Sequence, residues 1–278
     1  MITESFIFLP GVQEKSERRL WEAGITSWDH LLEAKSVPGV SKERLLFWKG
    51  RIRAAQQVMH TDDGVRTLSR MLGTRYSWRA YQHIMDNPRF LDIETTEYRN
   101  DVTVVGIGDG DFYQAFIKGR NLDAPTLRRA LADATCIITF NGSSFDLPII
   151  DRCFPGALPA VPHLDLRHIC AQAGLRGGLK RIEQHLKVSR AAAIREINGA
   201  DAIMLWYRHV FGDENALQDL VDYNAADVLN LAPLAELIIP ALWKHIRHGQ
   251  QLPFSPLQRP CWDDQYQKDA EDNSRTPL

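Results

Sequence analysis

The sequence predicts an α/β protein built on a mixed sheet, an antiparallel meander of three strands extended by parallel strands, with helices flanking it and an all-α segment ahead of it. Three observations carry that prediction. Asp109-Gly110-Asp111 separates two β-rich runs, 102–108 and 112–117, and Asp-Gly between such runs marks a tight hairpin. A helical stretch over about 124–132, with Leu127 and Leu131 on one face, leads into the short apolar run Cys136-Ile137-Ile138-Thr139-Phe140, the pattern of a crossover into a buried strand. In the first 88 residues, apolar side chains recur at helical rather than strand spacing.

Composition sets the frame. With 278 residues, 44% hydrophobic and 24% charged, the chain has the make-up of an ordinary globular protein and the length for one large domain or two smaller ones. No apolar run approaches the roughly 18–20 residues of a membrane span, and the N-terminus lacks the basic and apolar segments of a signal peptide, so a cytoplasmic protein without membrane contact is expected. Cys136, Cys153, Cys170 and Cys261 are widely spaced with no Cys-x-x-Cys pair, so no zinc site is expected, and the first three lie in apolar or helical surroundings, which predicts reduced packing residues. The net charge of −2 argues against a uniformly basic surface. Its distribution is uneven: residues 1–88 hold 13 Lys and Arg against 10 Asp and Glu, and residues 89–249 hold 17 against 20.

Taken in order, the chain opens with two similar passages. Pro10-Gly11-Val12 and Pro38-Gly39-Val40 each enter an amphipathic helix, the first carrying Leu20 and Trp21, the second Phe47, Trp48, Ile52 and Ala55. Two helical hairpins fit this repeat. They resemble the tandem helix-hairpin-helix fold, which holds nucleic-acid backbone without reading sequence. The resemblance makes Gly11, Lys15, Gly39, Lys42 and Arg44, with Arg18, Arg19 and Lys49, the candidate phosphate contacts. Gln13 and Ser41 stand where that family has its second glycine, and a side chain there obstructs the backbone's close approach. The alternative is a helical packing or protein-interaction module. Residues 61–88 read as connecting helices that Asn87-Pro88 terminates.

Phe90-Leu91-Asp92-Ile93-Glu94-Thr95-Thr96 is the first predicted strand. Alternation puts Asp92 and Glu94 on one face, where two carboxylates suit a hard divalent cation, although a solvated acidic edge would look the same. Past the fourth strand, Asn141-Gly142-Ser143-Ser144-Phe145-Asp146 turns into a helix with Asp146 in its first turn, a position the helix dipole favours in any case. The element order makes the first and fourth strands parallel neighbours, bringing Asp146 toward Asp92 and Glu94. A fifth strand at 161–166 ends near Asp165, and an amphipathic helix follows at 179–186. His163, His168 and His185 form no recognisable ligand spacing and read as surface or packing residues. In 217–231 the apolar stripe of a buried helix carries Tyr223 and Asp227 four residues apart, hence on one face, either as site residues or as a solvated rim.

Together, Asp92-x-Glu94, Asp146 and Tyr223-x-x-x-Asp227 resemble the three motifs of the DEDD 3′→5′ exonucleases in their tyrosine-bearing (DEDDy) subclass, over about residues 89–240. Leu91 to Thr96 and Phe140 to Asp146 look most like the YprB-like predicted nucleases. The resemblance implies a ribonuclease-H-like fold and a site of two Mg²⁺ or Mn²⁺ ions roughly 3.5–4 Å apart. Asp92, Glu94, Asp146 and Asp227 would be its ligands, Asp146 mainly through coordinated waters, and Tyr223 would orient the attacking water. Thr95, Asn141 and Phe145, lying in these motifs, become candidate nucleic-acid contacts. The implied partner is nucleic acid with a free 3′ end, single-stranded DNA in preference, and the implied product a nucleoside monophosphate. An endonuclease on the same fold and an inactive nucleic-acid-binding adaptor are the alternatives. The expected organisation is a helix-hairpin-helix domain at 1–60, connecting helices at 61–88, the catalytic domain at 89–249 and a flexible acidic tail at 250–278, with the first module or the tail as the place for a protein partner.

Overall fold

Five strands form one mixed sheet in the order β3-β2-β1-β4-β5, in a computed structural model that describes residues 1–59, 61, 64–97, 101–191 and 197–258. They are β1 (Pro88–Thr95), β2 (Val102–Gly108), β3 (Tyr113–Ile117), β4 (Cys136–Thr139) and β5 (His163–Asp165). β1 pairs antiparallel with β2, and β2 with β3 across the turn at Asp109, whose carboxylate accepts hydrogen bonds from the amides of Asp111 and Phe112 at 3.1 and 2.9 Å. β4 lies parallel to the first half of β1, with Pro88 opposite Cys136 and Phe90 opposite Ile138, and β5 lies parallel to β4. The second half of β1 therefore runs past the end of β4, leaving the edge beside Asp92 and Glu94 open to whatever follows β4.

The helices among the described residues are α1 (Glu14–Glu22), α2 (Trp28–Glu33), α3 (Lys42–Met59), α4 (Gly64–Leu72), α5 (Tyr81–Ile84), α6 (Ala124–Ala130), α7 (Asp146–Cys153), α8 (Leu166–Gln172), α9 (Leu179–Leu186), α10 (Gly199–Val210), α11 (Glu214–Leu229) and α12 (Leu231–His248). Side-chain caps start several of them. Asp123 accepts from the Thr126 amide at 2.7 Å to open α6, and Asp213 accepts from the Ala216 amide at 3.2 Å to open α11.

Strand alternation sorts the core. Leu91, Ile93, Val105, Ile107 and Ile137 face one way and pack with Leu127, Ile149 and Ile150, beneath α6 and α7. The opposite face presents Asp92, Val104, Gly106 and Gly108 to α11. At 106 a Cβ would lie 1.9 Å from Asn224 Oδ1 and 2.9 Å from Val228 Cγ2, so α11 can approach the sheet only over glycine. Gly106→Ala is expected to push α11 off β2 and cost about 2 kcal/mol or more, readable as a lowered urea midpoint; an unchanged midpoint would mean the helix is not seated there.

The N-terminal helices share their core with the rest of the chain. One apolar cluster runs from Ile2, Phe6, Trp28, Leu31 and Ile52 through Trp78 to Ile169, Leu234, Ile238 and Trp243. At the seam lies a buried ion pair. Glu17 Oε1 accepts from the amides of Phe6 and Ile7 at 2.7 and 3.0 Å, and Arg79 Nη1 donates to both Glu17 oxygens at 2.8 Å. Arg79 also sits against the rings of Tyr76, Trp78 and Trp243, 5.0–5.6 Å from their centroids.

Two sequence expectations need adjustment. The run Glu214–His248 is, by length and composition alone, apolar enough to cross a membrane, because α11 and α12 follow each other almost without a break. Much of its apolar surface is the core itself: Leu220, Val228, Leu231, Leu234, Ile238 and Ile239 are buried. Of the tail, residues 250–258 turn back, and Leu257 bridges to Leu175 with hydrogen bonds to Gly174 O and from Arg176 N at 3.0 and 2.8 Å. The expected flexible acidic tail beyond 258, with Cys261, lies outside the described residues.

Candidate active site

The acidic residues singled out by sequence converge. Asp92, Glu94 and Asp227 each offer a carboxylate oxygen, and the three atoms lie within 4.8 Å of one another. β1 supplies two by alternation, and the helical register of α11 turns Asp227 down onto them. Asp146 arrives from the other side at the head of α7, where Oδ1 accepts from the Ile93 amide at 3.1 Å. That bond ties the helix to β1 where the strand has outrun β4. Asp146 thus stands beside the three-oxygen group rather than within it.

Asn224 wires the group together. Fully buried, it donates from Nδ2 to Asp92 Oδ2 at 2.8 Å and Glu94 Oε1 at 3.4 Å, and accepts from the Tyr113 hydroxyl at 2.8 Å. Tyr223 lies on the same part of α11, its ring 4.5 Å from Lys180 Nζ and 5.9 Å from the Arg190 guanidinium carbon. Arg190 pairs with Asp227 and, at 2.9 Å, with Glu183. Asn224, Tyr113, Lys180, Arg190 and Glu183 escaped the sequence reading. Asn224 carried a signal, being three residues before Asp227 on one helix face, and Gly106-x-Gly108 marked the sheet face on which that helix rests.

The electrostatics follow from crowding. Burial first, then the charges of Asp146, Asp227 and Glu94, raise the Asp92 carboxyl well above the usual carboxylate range. Burial and the charge of Asp227 push Glu94 up to about 8, and burial pushes Asp146 up to about 7. Asp227 is also raised by burial, against the opposing pull of Arg190. Burial, then Asp227, raises the Tyr223 phenol, which keeps its proton at neutral pH. Burial lowers the Lys180 ammonium, opposed by Asp227.

This donor set fits a hard divalent cation. It is all oxygen, with neither sulfur nor imidazole, and its mutual repulsion is what such an ion relieves. Glu94 and Asp146 bind protons more tightly in the folded than in the unfolded chain, so their contribution to stability is fully present below about pH 4 and is lost as pH rises through about 7 and 8. Thermal scans in chelator are expected to show metal-free wild type losing stability between pH 5 and 8 relative to a Glu94→Gln/Asp146→Asn variant. Mn²⁺ should raise the wild-type Tm more at pH 8 than at pH 6; a shift independent of pH would contradict the cluster's role.

The remaining candidates are dispersed. Thr95 is half-buried at the irregular end of β1, where the pairing with β2 shifts register. Asn141, at φ 71°, forms the turn after β4; its amide donates to Asp165 Oδ1 at 2.8 Å and its side-chain oxygen accepts from Arg167. Phe145 is 36% exposed immediately before Asp146. Gly11 and Gly39 take φ of 78° and 74°, and Lys15, Lys42 and Arg44 are exposed on the opening turns of α1 and α3. The structure does not bring these five into the carboxylate group. Ser41 accepts from the Arg44 amide at 3.2 Å and Ser16 from the Gln13 amide at 2.7 Å, so one amide at the start of each helix is bonded within its own turn. His163 bonds Thr139 at 2.9 Å and His185 the Ser255 carbonyl at 2.8 Å.

A mixed sheet with this strand order and an acidic centre on its first strand defines a known class. The RNase_H_2 family model matches residues 89–239, and the chain belongs to the RNase_H superfamily. Among solved structures it is similar to the family B DNA polymerase from the hyperthermophilic archaeon Pyrobaculum calidifontis, with 18% identity and a TM-score of 0.45 over 58% of this chain. The match spans 25% of the polymerase chain, and a likeness of that size carries no functional weight. No curated protein matches the sequence.

Proposed function

We propose that the protein is a metal-dependent nuclease of the DEDDy type, akin to the YprB-like nucleases, that removes nucleoside monophosphates from the 3′ end of nucleic acid. DNA, single-stranded, is its substrate in this reading. The observation that supports it is the meeting of Asp92, Glu94 and Asp227 within 4.8 Å, with Asp146 bonded to the same strand and Tyr223 one helical turn before Asp227.

Asp92, Glu94 and Asp227 would hold Mg²⁺ or Mn²⁺, with Asp146 completing a second position. Such ions, when bound, supply positive charge and Lewis acidity to an in-line displacement at phosphorus. The chain's own residues prepare that reaction. Asn224 engages one oxygen of Asp92 and one of Glu94, orienting both carboxylates before any ligand arrives. The Tyr223 phenol, kept protonated, orients a water by hydrogen bonding and does not act as a base. Exposed Phe145, at the edge of the centre, offers a ring on which a terminal base can stack. The basic turns of α1 and α3 would hold the strand's phosphates farther along.

The test is release of mononucleotides from matched DNA and RNA strands with Mn²⁺, labelled at the 3′ end, with Asp92→Ala as control. Mononucleotide release from DNA that the substitution abolishes is the expected result. A ladder of internal cuts would establish an endonuclease, binding without cleavage an adaptor, and activity retained in Asp92→Ala would overturn the site.

A further inference from the structure

Behind Asp227 lies a buried relay that the reaction just described does not use. Arg190 presents its fork to Glu183, Nε to Oε2 at 3.0 Å and Nη2 to Oε1 at 2.9 Å, and the same Nη2 reaches Asp227 Oδ1. Asn230 fixes Glu183 in turn, donating from Nδ2 to Oε1 at 3.0 Å and to the Ser189 carbonyl at 3.2 Å. The side chains of Glu183, Arg190 and Asp227 are only 2%, 5% and 11% exposed. Two buried carboxylates thus share one guanidinium, and three elements meet on it: α9, the segment after it, and α11.

A guanidinium is suited to this place in a way an ammonium is not. Its planar fork can engage one carboxylate with two nitrogens and still extend to a second. Asp227 shares its pocket with Asp92 and Glu94, whose charges would drive a free side chain to rotate away. Pairing Asp227 Oδ1 with Arg190 fixes the rotation of a carboxylate that also lies within 4.8 Å of the other two.

We propose that Arg190, locked by Glu183 and Asn230, is a positioning residue that holds Asp227 in its ligand orientation for a divalent cation. The proposal rests on the metal-dependent reading above. Partners of ligand groups typically change metal affinity about 10–100-fold when removed, which sets the expected scale. It also separates orientation from charge: if Arg190 acted on a bound cation only through its charge, it would repel it, and its removal would tighten binding.

The test is Mn²⁺ binding to the purified full chain without nucleic acid, followed by the resonance of free Mn²⁺ and by calorimetry, for wild type, Arg190→Lys and Arg190→Gln. Both variants are expected to bind about tenfold or more weakly, the lysine form included, because it keeps the charge but lacks the fork. Circular dichroism checks the fold. If the single variants do not fold, Glu183→Met/Arg190→Met, which removes two opposite charges together, serves in their place with the same loss expected. Unchanged or tighter binding by a folded variant overturns the positioning role. Absence of Mn²⁺ binding by wild type overturns the metal reading itself, and the proposal with it.

Discussion

Asp92→Asn is expected to slow metal-dependent mononucleotide release by about 10³-fold while making the metal-free protein more stable. The first effect follows from the several kcal/mol that a cation site contributes to a phosphoryl transition state, at about 1.4 kcal/mol for each factor of ten. The second follows from crowding: Asp92 is raised well above its usual range by burial and three neighbouring carboxylates, so ionising it opposes folding. Asparagine keeps an oxygen for Asn224 and removes the charge. A gain of about 1 kcal/mol, or ~2–4 °C in Tm, should appear in chelator and shrink or reverse with Mn²⁺. Rate and stability moving in opposite directions would mark a functional carboxylate. A stability loss in chelator would instead make Asp92 a structural residue.

Arg79→Met should have the largest effect on stability, far from the acidic centre. The guanidinium and Glu17 are essentially fully buried, with side-chain exposures of 0% and 1%, and breaking such a pair typically costs ~3–5 kcal/mol because a charge is left unpaired. Glu17 cannot simply be replaced by a hydrocarbon, since it also accepts the Phe6 and Ile7 amides. Glu17→Gln/Arg79→Met, which keeps that acceptor without the charge, is expected to recover much of the loss in urea unfolding. A single variant as stable as wild type would show that the aromatic rings around Arg79, rather than the ion pair, hold the seam.

What could be read from the sequence followed local rules. Period-two alternation and the Asp109-Gly110 turn predicted the meander, and the apolar run at 136–140 predicted the strand that became the parallel neighbour of β1. The carboxylates were legible because each sits at a position its element makes distinctive: two apart on a strand, the head of a helix, four after a tyrosine. The residues that set their orientation were not. Arg190 and Glu183 acquire meaning only through Asp227, 37 and 44 positions away in sequence, and Tyr113 only through Asn224. The joining of the N-terminal helices to the remainder was equally hidden. Helical periodicity shows that a face is apolar but not what covers it, and here Trp21 and Trp78 close on Trp243 of α12, with ring centroids 6.0 and 6.4 Å apart.

That tryptophan cluster bears on how the molecule could change over evolutionary time. A hairpin module tethered by a linker can be exchanged for another, duplicated or lost without disturbing the enzyme it serves. Here the helices at 1–59 wall the same apolar interior as α8 and α12, so any ancestor lacking them would have had to cover Trp243 and α12 some other way. Substitutions in the first helices are therefore constrained by the interior of the sheet domain as well as by whatever their outer surface touches.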